Sequence, residues 1–231
     1  MSSSLSALFN KKSMSILVSL PENRIDLAKA ALEAGADGLK FHINVEHRAS
    51  GNNFKSFDHY KETFKKIRSL YRGPLGLVLT DDISKVNKVS LKNIEECGFT
   101  YYSLYSKDIT SKLLLQDDLE KTVAVDNLFS SFDVSSIENF NMKAIELSII
   151  NKEDYGTPLS FEDIISYQNY RNKTNLPIII PSQKKLVEED LEVLFNMKIE
   201  SVMLGAVTIG TTVDSIYSTV SSFVKKVESL R

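Results

Sequence analysis

Ionisable side chains interrupt two stretches that otherwise have the apolar composition of buried strands. Lys40 and His42 alternate with apolar residues in GLKFHIN, and Glu146 does the same in AIELSII. A buried charge is costly unless it is paired or neutralised. Burial also favours the neutral form of such groups, which suits proton transfer near neutral pH. We therefore predict that Lys40, Glu146 and His42 are catalytic. The alternative is a structural ion pair that fills the protein interior.

Strand alternation brings further polar residues to the same side as this pair. If the apolar side chains face outward, Asn44 and Ser148 face inward, and Asp126 ends its own strand at the same edge. We expect these three residues to bind substrate. His42 is open to a second use, as a substrate hydrogen-bond partner or a metal ligand. The same rule turns the polar positions of FTYYSLY inward, namely Tyr101, Ser103 and Tyr105.

Two connecting segments carry residues that suit ligand binding. His47 and Arg48 lie in VEHRASGNNFKS, whose glycine and asparagines are typical of a folded-over loop. Arginine offers a planar fork for phosphate or carboxylate, so this loop is either an anion clamp and lid or an ordinary exposed loop. The segment NKEDYGTPLS, with Tyr155 and Gly156, is a candidate for a second lid.

The segment from Pro177 to Gly210 has the pattern of a phosphate cradle. An apolar strand ends in the polar turn Ser182-Gln183-Lys184, a helical pattern follows, and a second apolar strand stops at Gly205-Ala206. A glycine directly after a buried strand lets backbone N–H groups approach an anion closely. We predict that all five of these residues bind phosphate.

Eight apolar strand patterns alternate with eight helical patterns, which predicts a parallel sheet. Eight repeats in 231 residues indicate a single (β/α)8 TIM barrel of the α/β class, whose sites lie at the carboxyl ends of the strands. An open doubly wound sheet would want a glycine-rich turn after the first strand, and SLPENR has none. The predicted strands begin at residues 15, 37, 74, 99, 121, 144, 178 and 202.

Composition excludes several other classes of protein. A net charge of -2 argues against a nucleic-acid binder, and no apolar run is long enough to span a membrane. The single cysteine, Cys97, permits no internal disulfide and is expected to be buried. Residues 1–13 lack a signal-peptide pattern and are expected to form a flexible lead-in or a cap, with the barrel domain at 14–231. We expect a cytoplasmic protein.

The order of elements and the segment around Ser182 and Gly205 resemble the ribulose-phosphate-binding type of barrel. This group includes sugar-phosphate epimerases, such as N-acetylmannosamine-6-phosphate 2-epimerase, and indole-glycerol-phosphate synthase. The resemblance implies that the loop after the seventh strand and the turn after the eighth hold a substrate phosphate. Epimerases of this type bind metal through an HxD pattern in the second strand, where this chain has His42 and Asn44. We accordingly expect no metal and no cofactor.

Three hypotheses follow for function. The leading one is an isomerase, epimerase or lyase that uses Lys40 and Glu146 on a small phosphorylated substrate, for which the resemblance suggests a sugar phosphate. The second is a non-catalytic phosphometabolite-binding or regulatory barrel, which should tolerate loss of both residues. The third is a prenyl-transferring phosphate barrel, which would need an acidic metal–diphosphate site. Exposed apolar positions on the outer helices leave room for a homodimer.

Overall fold

Eight parallel strands form a closed barrel in the computed structural model, which describes residues 3–47, 49–131 and 133–230. In chain order the strands are β1 (Ser15–Ser19), β2 (Gly38–His42), β3 (Glu46–His47), β4 (Asn52–Asn53), β5 (Leu75–Val78), β6 (Tyr101–Tyr105), β7 (Glu120–Asp126), β8 (Ala144–Ser148), β9 (Ile178–Pro181) and β10 (Ser201–Leu204). The short strands β3 and β4 pair with each other, and the other eight close the ring in the order β1-β10-β9-β8-β7-β6-β5-β2. The predicted (β/α)8 fold is confirmed.

The helices surround the ring, and all but α1 follow a strand and pack outside it. They are α1 (Leu5–Phe9), α2 (Ile25–Glu33), α3 (Phe57–Leu70), α4 (Ile83–Val86), α5 (Leu91–Glu96), α6 (Ser111–Leu114), α7 (Phe161–Arg171), α8 (Glu188–Asn196), α9 (Ala206–Ile209) and α10 (Val213–Ser229). The main apolar core lies between the strands and these helices, because each buried strand turns half of its side chains outward. Of the helices that the described residues form, none has the length and apolarity of a membrane span.

Helix α1 closes the bottom of the barrel. Leu5 and Leu8 are buried in a second apolar cluster with the inward-facing side chains Leu17, Tyr101, Ala144, Ile179 and Met203. Ser4 caps the helix by accepting a hydrogen bond from the Ala7 N–H, and the Glu120 carboxylate accepts the Leu5 N–H at 2.7 Å. The segment expected to be a lead-in or a cap therefore contains a helix that fills the amino-terminal end of the barrel.

The helical layer departs from the prediction in two places. The connection between β5 and β6, where the alternation predicts one helix, contains two short helices, because Ser90 starts a new helix by accepting the Asn93 N–H. Between β7 and β8 the described residues form only a 3-10 helix, Val134–Phe140, which ends at Asn141 in the left-handed region.

Candidate active site

The barrel interior holds one ion pair that crosses its axis. β2 and β8 are four strands apart in either direction around the ring, so they face each other. Lys40 on β2 and Glu146 on β8 meet directly, with 2.5 Å between Nζ and Oε2, and their side chains are 7% and 2% exposed. The inward orientation predicted for both residues is confirmed. The two side chains touch, so there is no space for a substrate between them.

Hydroxyl groups from the neighbouring strands complete the coordination of Glu146. Ser103 donates to Oε1 at 2.7 Å, and Thr122 donates to the same oxygen at 2.9 Å. Lys40 also donates to the Ser103 hydroxyl at 3.3 Å. Both carboxylate oxygens are therefore occupied, while the Lys40 ammonium has used two of its three protons. This arrangement holds Glu146 as an anchor and leaves Lys40 able to donate once more.

A buried tyrosine lies on the same inner face of β6, two residues before Ser103. The Tyr101 ring is fully buried, and its hydroxyl has no hydrogen-bond partner among the described residues. Burial, followed by the negative charge of Glu146, raises the pKa of Tyr101 well above its usual value. Gly76 permits this position, because a Cβ atom there would lie 2.1 Å from the tyrosine ring.

His42 lies one inward position beyond Lys40, toward the carboxyl end of β2. Asn23 fixes this end of the strand: its Nδ2 donates to the His42 carbonyl at 2.7 Å, and its Oδ1 accepts the His42 N–H at 3.4 Å. The His42 ring is 4% exposed, and its Nδ1 has no partner among the described residues. Burial, then His47, then the charge of Lys40 lower the pKa of His42 well below its usual value. The ring is therefore a neutral imidazole beside an ammonium group.

The hairpin of β3 and β4 covers His42. The ring centroids of His42 and His47 are 4.4 Å apart, and those of His42 and Phe54 are 5.0 Å apart. Phe54 is only 3% exposed. Burial, with a smaller effect of Lys40, lowers the pKa of His47 to about 4. The two rings that cover His42, those of His47 and Phe54, are consequently uncharged at neutral pH.

Another predicted substrate-binding residue, Asn44, lies away from this cluster. The strand β2 ends at His42, so alternation does not extend to Asn44, which adopts a positive φ of 52°. Asn44 donates to the Leu79 carbonyl at 3.1 Å and lines a cleft of about 350 Å³ that Phe57 and Lys88 also line. The inward orientation expected for Asn44 is wrong for this reason. Arg48 lies outside the described residues.

Ser148 and Asp126 lie at the carboxyl ends of adjacent strands, as alternation predicts. Ser148 hydrogen-bonds with Tyr105, whose pKa burial raises to about 12. Asp126 accepts the Leu128 N–H at 3.1 Å and lies 3.9 Å from the Lys107 ammonium. Both residues border the mouth of the barrel, and their role in substrate binding remains a prediction.

The predicted phosphate cradle divides into two parts, of which the first retains free donors. Ser182 and Gly205 are joined, since the Gly205 N–H donates to the Ser182 hydroxyl at 2.7 Å. Gly205 caps α9, and a helix cannot satisfy its own first N–H groups. Among the described residues, the N–H groups of Ala206 and Val207 have no acceptor. These two donors and the Ser182 hydroxyl are what this turn offers an anion.

Gln183 and Lys184 form the second part and bind a neighbouring connection instead. Gln183 accepts the Ile150 N–H at 3.2 Å and donates to the Tyr155 hydroxyl at 2.5 Å. The Lys184 ammonium, 7% exposed, donates to the Thr157 hydroxyl at 3.0 Å and lies 3.1 Å from the Asp163 carboxylate. Lys184 is thus neutralised in the structure, and both side chains hold the β8–α7 connection against β9.

Several other ionisable residues have structural or surface positions. Asp82 caps α4 by accepting the Ser84 N–H, and Asp81 accepts the Glu46 N–H at 2.9 Å. Cys97 is buried, which raises the pKa of its thiol. His59 is exposed on α3. Within the described residues, no group of three or more His, Cys, Asp and Glu side chains is arranged to hold a metal ion.

Sequence reasoning missed three residues of this cluster. Thr122 was not singled out, although it alternates with apolar residues in KTVAVD. Asn23 and Phe54 lie in connections, where no periodic pattern identifies them. A search for polar residues at inward strand positions would have found Thr122 alone.

The closed ring and its interior charges define a TIM barrel with a polar centre and its candidate site at the carboxyl ends of the strands. No protein-family model matches the chain, and no curated protein matches it at a significant level.

Solved structures match over almost the whole length. Thiamine phosphate pyrophosphorylase from Pyrococcus furiosus is 10% identical with a TM-score of 0.67, covering 96% of this chain and 98% of that one. Phosphoribosyl anthranilate isomerase from Thermus thermophilus is 14% identical with a TM-score of 0.65, covering 94% and 100%. Tryptophan synthase from M. tuberculosis is 11% identical with a TM-score of 0.71, covering 98% and 99%.

These likenesses confirm the barrel fold that the resemblance implied. At identities between 10% and 14% they show a shared fold and leave the reaction open.

Proposed function

We propose that this barrel is an enzyme that moves a proton next to the carbonyl group of a small phosphorylated substrate, of which a sugar phosphate is the first candidate. The observation that carries the proposal is the buried Lys40–Glu146 pair beneath a neutral histidine, at the end of the barrel where active sites lie. The names of two similar barrels, a thiamine phosphate pyrophosphorylase and a phosphoribosyl anthranilate isomerase, support a phosphorylated substrate.

The geometry suggests a division of roles among the three residues. The Lys40 N–H that has no protein partner donates a hydrogen bond to the carbonyl oxygen and stabilises the negative charge that develops there. His42 accepts the proton from the adjacent carbon at Nδ1, which is buried and has no hydrogen-bond partner among the described residues. Glu146 holds the ammonium in place through Oε2 while Ser103 and Thr122 hold Oε1.

The proton balance fits an isomerase or an epimerase. The C–H bond breaks, its electron pair forms an enediolate, and the proton resides on His42. Return of that proton to the neighbouring carbon, with transfer of the hydroxyl proton to the other enediolate oxygen, gives an isomer. A proton delivered by water to the opposite face of the same carbon, with loss of the His42 proton to solvent, gives an epimer. Cleavage of a carbon–carbon bond would use the same electron sink.

The substrate phosphate is assigned to the turn after β10. Three donors are available there: the N–H groups of Ala206 and Val207, which have no acceptor among the described residues, and the Ser182 hydroxyl. Gln183 and Lys184 act indirectly in this proposal, by fixing the connection that borders the turn.

A second candidate is a non-catalytic phosphometabolite-binding barrel. One observation favours it: Glu146 already accepts three hydrogen bonds, so the ion pair is complete without a ligand. This candidate predicts that the protein has no turnover and that ligand binding persists when Lys40 and His42 are replaced.

A thermal-shift screen tests the proposal, using a panel of sugar phosphates beside the matching unphosphorylated sugars. A ligand at about 100 times its dissociation constant adds about 2.7 kcal/mol of stability, or roughly 5–10 °C in Tm for a chain of this size. His42→Asn should keep this shift and lose turnover, whereas Ser182→Ala should reduce the shift. Absence of any phosphate-dependent shift would overturn the proposal.

A further inference from the structure

The residues proposed to do chemistry are closed off from solvent by one small structural unit. Lys40 and His42 are 6% and 4% exposed, although they point toward the mouth of the barrel. The rings of His47 and Phe54, both carried by the connection between β2 and α3, lie against the His42 ring. A substrate has no route to His42 Nδ1 while these rings remain in place.

The covering unit has its own internal hydrogen bonds. The Phe54 N–H donates to the Val45 carbonyl at 2.8 Å, and the Gly51 N–H donates to the His47 carbonyl at 2.9 Å. Antiparallel pairing of β3 with β4 adds to these. Residues 45–47 and 49–55 therefore form a compact hairpin that can move as one body.

Few polar contacts join this hairpin to the barrel. Asn52 donates its Nδ2 to the Pro21 carbonyl at 2.6 Å, and the Glu46 N–H donates to the Asp81 carboxylate at 2.9 Å. At the base of the hairpin the Lys55 carbonyl accepts the Asn44 N–H at 3.0 Å, and the Lys55 N–H donates to the Tyr60 hydroxyl at 3.3 Å. The rings of His47 and Phe54 also lie against His42. Contacts of this number are small beside those that hold a barrel strand, so opening costs much less than unfolding.

We propose that the hairpin of residues 45–55 is a gate over the active site, and that Phe54 is the residue that closes it. Phe54 is a positioning residue, because it acts through the His42 ring rather than through the reacting atoms. Open, the gate admits the substrate; shut, it excludes water from Lys40 and His42. The gate's role in substrate entry rests on the proposed function, whereas its motion can be measured without a substrate.

The chain contains no tryptophan, so Phe54→Trp creates a single fluorescent reporter in the gate itself. Acrylamide should quench this reporter slowly in the native protein. Adding Asn52→Ala removes one hydrogen bond to the barrel, which should raise the open population and the quenching rate roughly fivefold. Asn53→Ala is the matched control, since Asn53 is the exposed neighbour in the same hairpin, and it should leave quenching unchanged.

A second measurement covers the case in which Phe54→Trp disturbs the fold. The Glu46 amide is protected by its bond to Asp81 only while the hairpin is shut. Its hydrogen exchange, followed by NMR in the wild-type chain, should be faster than that of the barrel strands and roughly fivefold faster again in Asn52→Ala.

Equal quenching in the reporter chain with and without Asn52→Ala would overturn the gate. Glu46 exchange that occurs only at the rate of global unfolding would overturn it as well. If the gate opens but no phosphorylated compound stabilises the protein, the proposed function fails and the motion stands. If phosphorylated compounds bind and the hairpin never opens, the gate alone fails.

Discussion

Removing one partner of the Lys40–Glu146 pair should destabilise the barrel far more than removing both. In Lys40→Met the Glu146 carboxylate, 2% exposed, keeps only the Ser103 and Thr122 hydroxyls as donors. Leaving a buried charge without its counter-ion costs about 3–5 kcal/mol, a large part of the 5–15 kcal/mol that typically stabilises a folded chain. Glu146→Gln should cost a similar amount, because it leaves the ammonium buried without a carboxylate.

The double variant Lys40→Met/Glu146→Gln should recover much of this loss. Methionine is apolar, and the glutamine amide oxygen can still accept from Ser103 and Thr122, so no unpaired charge remains buried. The coupling energy in the double-mutant cycle should therefore be about 3 kcal/mol or more. Urea denaturation with a common m-value for the four chains measures it.

An exposed ion pair supplies the matched control cycle. Lys65 and Glu62 lie 2.9 Å apart on the outer face of α3, where water screens their attraction, and no measurable coupling is expected. Additive losses for Lys40 and Glu146, with a coupling energy within the usual error of about 0.5 kcal/mol, would refute the pairing across the barrel axis.

Three further predictions concern helix α1 at the bottom of the barrel, His47 in the hairpin over His42, and the β8–α7 connection. Leu5→Ala should lower the free energy of unfolding by about 2–5 kcal/mol, because this side chain is fully buried in the barrel end; chemical denaturation measures the loss. The pKa of His47 is lowered from 6.5 to about 4, so the unfolded chain binds more protons between these values and stability should fall as the pH drops from about 6.5 to about 4. His47→Asn should weaken that dependence and His59→Asn should leave it unchanged, in unfolding curves recorded across the pH range. Lys184→Met and Asp163→Asn should both speed proteolysis within residues 151–159 and keep the phosphate-dependent thermal shift; loss of the shift in Lys184→Met alone would mean that Lys184 binds phosphate directly.

The barrel and its central pair were predictable because both rest on periodic burial. A strand buried on both faces alternates its side chains between the interior and the helices, so Lys40 and Glu146 could be oriented from the residues beside them. Their direct contact could not be read from the sequence. It depends on the diameter of the closed ring and on the length of two side chains that reach across it.

Residues beyond the strand ends were harder to place, because alternation stops where the strand stops. Asn44 follows a strand that ends two residues earlier and turns into the left-handed region. From the sequence, Lys184 would be taken for a free cation near a glycine turn. In the structure it pairs with Asp163, which lies on α7. The hairpin roof consists of two-residue strands, too short for any periodic pattern, and its position depends on the rings that pack on His42.

The most direct test of the account is proton exchange at carbon in D2O. The protein is incubated with each sugar phosphate that raises its Tm, and deuterium incorporation next to the carbonyl group is followed by NMR and mass spectrometry. We predict that the wild-type chain incorporates deuterium into at least one of these compounds, and that His42→Asn binds the same compound without exchange. Exchange at the same rate in His42→Asn, or none in any compound that binds, would contradict proton transfer by this site.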